Sequence, residues 1–194
     1  SSYLLYEAKK HCARLGVYMA VTPFVPGFER ADAKALAKEL GVEITILEHD
    51  PLAEADVVKN DENRCYHCKR ALFSMLTERA KADGFSLVID GTNASDDAAD
   101  RPGMRALQEL GVRSPLRECG LTKARIRQAL REAGLPVWDK PAYACLATRV
   151  PAGTRIKKED LEKIERGEDA LFAMGFRGFR LRATPSGGAF FAGS

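Results

Sequence analysis

Residues 63–93 read NRCYHCKRALFSMLTERAKADGFSLVIDGTN. A Cys-x-x-Cys pair, Cys65 and Cys68, opens a helical pattern that runs to Ala82 and ends near Gly84. Phe85 to Ile89 is a short apolar run around Ser86, the pattern of a strand buried on both faces. Asp-Gly-Thr-Asn, Asp90 to Asn93, closes it. In an α/β protein ligands gather at the carboxyl ends of parallel strands, so Asp90 to Asn93 stand where chemistry is expected.

The same alternation extends both ways from this stretch. Upstream, the spacing predicts a helix over 1–15, a strand over 17–21, a helix over 29–40 capped by Gly41, and a strand over 42–47. Downstream it predicts a helix over 102–110 and a strand over 112–116. A further helix over 122–133 takes Thr122 as N-cap and Gly134 just past its end. Strands alternating with helices argue for a doubly wound parallel sheet with helices on both faces. Such folds usually begin with a strand whose following turn binds phosphate at a helix N-terminus. The expected first strand and phosphate loop therefore lie outside these residues. After Pro136 the character changes. Residues 137–154 read as a loop, 158–174 as a charged amphipathic helix, and 176–183 as an alternating strand. The expected organisation is a doubly wound α/β domain over 1–136 and the beginning of a small α+β substrate domain over 137–194, itself open to truncation.

Bulk properties narrow the class. The chain has 194 residues, 45% of them hydrophobic, enough for a real core. Its net charge of +3 is too slight to argue for nucleic-acid binding. No apolar run reaches the ~20 residues that span a bilayer, and no signal peptide is visible. Five cysteines, an odd number in a chain of this size, suit a reduced cytoplasmic protein with metal-binding or reactive thiols better than a disulfide framework.

Cys65 and Cys68 can share one zinc or iron–sulfur cluster, or act as a redox dithiol; the alternative is two inert helix cysteines. His67 reads as a solvated helix residue. Cys145, in the loop PAYACLATR, is the third thiol of interest. Arg149 beside it could hold it as a thiolate, against the reading of a packed small hydrophobe. Cys12 reads as core and Cys119 as a loop residue. Asp90, Asn93, Asp96 and Asp97 could hold Mg²⁺ on nucleotide phosphates, or serve only as turn residues. Arg149, Arg155, Arg180 and Arg182 could grip phosphate or carboxylate. Arg180 and Arg182 share one strand face, which could equally be plain solvated surface. Lys123, Arg125 and Arg127 read as a solvated helix face.

The motifs RCYHCK, DGTNASD, RPG, RSPL, LTKARIR, GLPVWDKPAYACLATR and GFRGFRLR, in this order, resemble the LarE-type ATP-dependent sacrificial sulfur transferases of the PP-loop ATP pyrophosphatase superfamily. The resemblance spans about Ser1 to Arg182. It implies a PP-loop (HUP-like) fold whose SGGxDSS loop is represented here only by Ser1 and Ser2. The implied ATP site includes Ser1, Ser2, Asp90, Gly91, Asn93 and Asp97. It implies a reaction in which ATP and Mg²⁺ adenylate a carboxylate of a pyridinium dicarboxylate mononucleotide. Sulfur transfer then gives a thiocarboxylate precursor of a nickel-pincer cofactor. Two sulfur sources occur in the family. Cys145 matches the cysteine that gives up its own sulfur; Cys65, Cys68 and Cys145 together match the pattern that holds a 4Fe–4S cluster, and that pattern favours the cluster. Glu168, Arg180 and Arg182 match positions that handle substrate phosphate and metal. A small nucleotide-like substrate and a homo-oligomer are implied, with no membrane or nucleic-acid partner. Competing functions are tRNA thiolation, amide formation, and a non-catalytic iron–sulfur or zinc protein.

Overall fold

A computed structural model describes residues 2–96, 101–184 and 189–193. The order is α1 (Ser2–His11), β1 (Val17–Val21), α2 (Gly27–Glu39), β2 (Ile44–Glu48), α3 (Ala55–Val58), α4 (Arg64–Ala82), α5 (Arg101–Glu109), α6 (Pro115–Glu118), α7 (Lys123–Glu132), α8 (Lys158–Ala173), β3 (Phe179–Ala183) and β4 (Ala189–Gly193). Short helical turns at Pro51–Ala53, Pro136–Asp139 and Leu146–Arg149 interrupt the connections. The fold is mixed α/β and mostly helical. No helix among the described residues is long and apolar enough to cross a membrane.

β1 and β2 pair in parallel, with Val17 opposite Ile44 and Val21 opposite Glu48. Their carboxyl ends therefore lie together, as the β-α-β crossover through α2 requires. The expected strand over 85–89 is reduced to one parallel bridge between Ile89 and Arg113. Asp90 N donates to Arg113 O at 2.9 Å, and Arg113 N donates to Val88 O at 3.1 Å. Leu87 is 54% exposed, so the run is not buried on both faces. Among the described residues the segment has a ladder partner on one side only, and nothing covers Leu87. The expected strand over 112–116 shrinks with it, because Pro115 starts α6 two residues after the bridge. The apolar tail forms β4, which pairs antiparallel with β3, Phe179 opposite Gly193.

The helices follow their local signals. In α7 the Thr122 hydroxyl accepts from Arg125 N, and Gly134 takes φ +71° just beyond the end, a conformation that favours glycine. α1 stops at His11, so Cys12 falls past the helix and is exposed rather than in the core. Two apolar clusters hold the elements together. Leu36, Leu40, Leu130 and Leu135 join α2 to α7, with Tyr3, Leu5 and Tyr6 of α1 against them. Phe24, Val57, Leu146, Ala147, Val150, Ile156, Leu161 and Ile164 form the other. Each fully buried aliphatic side chain contributes roughly 1.5–3 kcal/mol. The second cluster joins the carboxyl end of β1 to the loop bearing Cys145 and to α8.

Candidate functional site

The chain leaves β2 at Glu48 and reaches Cys65 within two short helical turns. Cys65 and Cys68 occupy the first turns of α4, three residues apart on one helix face. Cys145 ends a loop that is stitched beside them. Leu146 N donates to Phe24 O at 2.9 Å, and Arg64 Nη1 donates to Ala147 O at 3.1 Å. Arg64 Nη2 lies 3.7 Å from the Cys65 sulfur. Asn60, buried and at φ +59°, donates to Pro151 O at 2.8 Å and Thr154 O at 3.0 Å. Gly153 N returns a bond to Asn60 O at 2.9 Å.

The three sulfurs act on one another electrostatically. The Cys68 thiol is pushed up to about 12, first by burial and then by the sulfurs of Cys145 and Cys65; Arg64 pulls the other way. The Cys145 thiol is also raised. Burial by the surrounding protein is the first cause, the Arg64 charge opposes it, and Cys65 adds to it. Cys145 nevertheless keeps an exposed surface. Both shifts leave these thiols protonated at neutral pH, contrary to the expectation that Arg149 holds Cys145 as a thiolate. The Arg149 charge is directed elsewhere.

Arg149 is 0% and Glu168 1% exposed. Arg149 Nε donates to Glu168 Oε1 at 3.0 Å, and its Nη1 to Ala144 O at 3.0 Å. The Tyr143 hydroxyl donates to Glu168 Oε2, and Leu181 N donates to Glu168 Oε1 at 2.9 Å. The Arg149 guanidinium also stacks 4.4 Å over the Tyr143 ring. Burial, then the hydrogen bond to the Glu168 carboxylate, push the Tyr143 hydroxyl well above its ordinary value. Arg149 and Glu168, expected on substrate phosphate and metal, are thus engaged with each other beside the Cys145 loop. Arg182 Nη1 donates to Thr148 O at 3.2 Å in the same loop, while Arg180 is exposed.

Asp90 and Asn93 are held in local turn bonding. Asp90 accepts from Thr92 and, at 2.5 Å, from Ser114 Oγ. Asn93 Nδ2 donates to Asp96 Oδ2 at 2.8 Å. Gly91 lies between them; Ser2 begins α1, while Ser1 and Asp97 lie outside the described residues. A cavity of about 310 Å³ opens at the carboxyl ends of β1 and β2, lined among others by Thr22, Arg30, Glu48, Lys158 and Glu165. Glu165 also accepts from Gly27 N, at the start of α2, at 2.7 Å. Leu161 lines this cavity and belongs to the cluster that carries Leu146, so cavity and thiols adjoin one core.

Sequence reasoning overlooked Asn60, Arg64, Tyr143 and Glu165. Only Arg64, next to Cys65, and Asn60, a residue type that tolerates positive φ, carried any signal. Among the described residues no three His, Cys, Asp or Glu side chains stand close enough to hold a metal ion. The donor chemistry of three thiols suits iron and sulfur, yet their spacing as described forms no ready metal site.

No family model matches the chain. It is 40% identical over 164 residues to an uncharacterised protein of Synechocystis, covering 84% of this chain and 61% of that protein. It is 32% identical over 150 residues to an uncharacterised protein of Methanocaldococcus jannaschii, covering 77% and 57%. It is 31% identical over 150 residues to the pyridinium-3,5-bisthiocarboxylic acid mononucleotide synthase of Lactiplantibacillus plantarum, covering 77% and 54%. The chain thus spans little more than half the length of the curated relatives it matches.

Proposed function

We propose that this chain is part of an ATP-dependent sulfur transferase of the LarE type, built on a PP-loop fold. Its substrate in this reading is a carboxylate of a pyridinium dicarboxylate mononucleotide. The observation that carries the reading is that Arg64 ties the loop bearing the exposed Cys145 to the start of α4, where Cys65 and Cys68 stand. The similarity to a bisthiocarboxylic acid mononucleotide synthase supports it.

The chemistry follows from the weakness of a carboxylate as an electrophile. Its oxygen attacks the α-phosphate of ATP and pyrophosphate leaves, giving an acyl-adenylate. A sulfur nucleophile then adds to the carbonyl, and AMP departs. The cavity at the carboxyl ends of β1 and β2 is the place for the nucleotide, since such ends are where α/β sheets bind ligands. Arg30 and Lys158 there offset phosphate charge. Mg²⁺, when bound, supplies further charge neutralisation on the phosphates. Cys145, as the accessible thiol, presents the sulfur. If it gives up its own, its sulfur forms a thioester with the substrate. Loss of the Cys145 α-proton then breaks the Cβ–S bond, leaving dehydroalanine in the chain and a thiocarboxylate on the product.

Anaerobic purification with iron and sulfide analysis, beside intact mass, tests this. About four irons per chain, lost on Cys65→Ala, Cys68→Ala or Cys145→Ala, would assign the sulfur to a cluster. No iron, with loss of the mass of one H₂S after ATP and substrate, would make Cys145 a single-use donor. Neither iron nor a mass change with ATP and substrate would sink the sulfur-transfer reading.

A further inference from the structure

We propose that Arg64 is the positioning residue of the thiol site, the group that holds Cys145 against Cys65 and Cys68. The inference rests on the preceding reading only in treating the three thiols as one site.

Cys65 and Cys68 are held together by their own helix. Cys145 belongs to a loop some 80 residues away in sequence and needs a separate constraint. The apolar contacts of Leu146 and Ala147 bury the loop, and Leu146 N bonds it to Phe24 O after β1, but neither bonds it to α4. Directional bonds fix it. Arg64 Nη1 donates both to Ala147 O at 3.1 Å and to the Asn60 carboxamide oxygen. Arg64 Nη2 faces the Cys65 sulfur at 3.7 Å. One guanidinium therefore touches the backbone two residues after Cys145 and the sulfur of Cys65. Asn60, which Arg64 holds, in turn donates to Pro151 O and Thr154 O, extending the brace along the loop. Its planar fork is what lets Arg serve several acceptors in fixed directions; the single ammonium of Lys cannot match that geometry. Arg64 is only half-buried, so replacing it does not open a cavity in the core.

The test uses the whole chain without ATP or substrate, with Cys12→Ser and Cys119→Ser removing the other two thiols. Dibromobimane links two adjacent thiols: each sulfur forms a C–S bond, bromide leaves, and the thiol proton goes to buffer. Peptide mass then separates the Cys65–Cys68 product, contained in one tryptic peptide, from products joining Cys145 to either. The partition between them is the readout. Global loosening moves both products, whereas loss of positioning moves only those with Cys145. In Arg64→Met the Cys145 products are expected to fall about tenfold relative to Cys65–Cys68, the worth of one charge-assisted hydrogen bond. Arg64→Lys recovers part of the loss, and reads the proposal if Arg64→Met does not fold. A wild-type partition in both variants overturns the proposal. Absence of any Cys145 product in the unmodified Arg64 chain overturns it as well. Sulfur transfer can fail in its own assay while this partition holds, so the two readings fail separately.

Discussion

Glu168→Ala should cost this protein much of its stability. The substitution leaves Arg149, fully buried, without its carboxylate, and it strips the acceptor from both the Tyr143 hydroxyl and Leu181 N. Breaking a buried pair by removing one partner costs about 3–5 kcal/mol. Each orphaned donor adds about 1–3 kcal/mol, though the losses share one network and do not sum. A net cost of about 5 kcal/mol is expected, set against a total stability of roughly 5–15 kcal/mol. The double variant Arg149→Met with Glu168→Leu removes both charges and should be less damaging than Glu168→Ala alone, because apolar replacement of a whole buried pair is often neutral. Urea unfolding followed by far-UV circular dichroism measures both, provided the slope with denaturant is unchanged. A cost below about 1 kcal/mol for Glu168→Ala would refute the reasoning. So would a double variant worse than the single. The first result would return Glu168 to a role on substrate, where its loss removes activity and spares stability.

Asn60→Gly keeps the φ of +59° available and loses only the side-chain bonds, whereas Asn60→Ala adds left-handed strain of about 1 kcal/mol. Alanine should therefore unfold at the lower urea concentration, and equal midpoints would contradict the left-handed strain at this position. The raised Cys68 thiol favours its neutral form in the folded state. Its stabilisation is complete below about pH 9 and is lost as pH rises toward about 12. The stability gap between wild type and Cys68→Ala should narrow across that window, and a constant gap would show that the thiol is unshifted. Gly16→Ala would place a methyl 2.6 Å from the Phe85 ring. A loss of about 1–3 kcal/mol is expected from overpacking, and a neutral result would mean that Phe85 is free to move.

What was legible in the sequence was what local patterning encodes. Apolar spacing with Thr122 and Gly134 marked α7 almost to its ends, and the paired apolar runs marked β1 and β2. Phe85 to Ile89 failed for a reason that no local pattern carries. Four apolar residues in a run of five, around Ser86, report a strand buried on both faces only when neighbours stand on both sides. Here Ile89 finds one bridge, at Arg113. β4 was missed because it forms by pairing with β3 in register, Ala183 opposite Ala189, rather than from its own composition.

The site divides the same way, and the division has a consequence for reading such chains. The cysteines announce themselves by type and spacing, so Cys65, Cys68 and Cys145 could be named in advance. The charged residues around them could not be assigned, because a charge has no role until its partner is known. Arg149, four residues from Cys145, looked like the cation for that thiol. Burial with Glu168 directs its guanidinium away, and Arg64, 81 positions from Cys145, faces the sulfurs instead. A buried cation that sits near a thiol in sequence already has a carboxylate, since unpaired burial is too costly. The cation that can act on an exposed thiol is one whose partners are neutral carbonyls and amides, which leave its charge uncancelled. Arg64 meets that condition through Asn60 and Ala147; Arg149 does not.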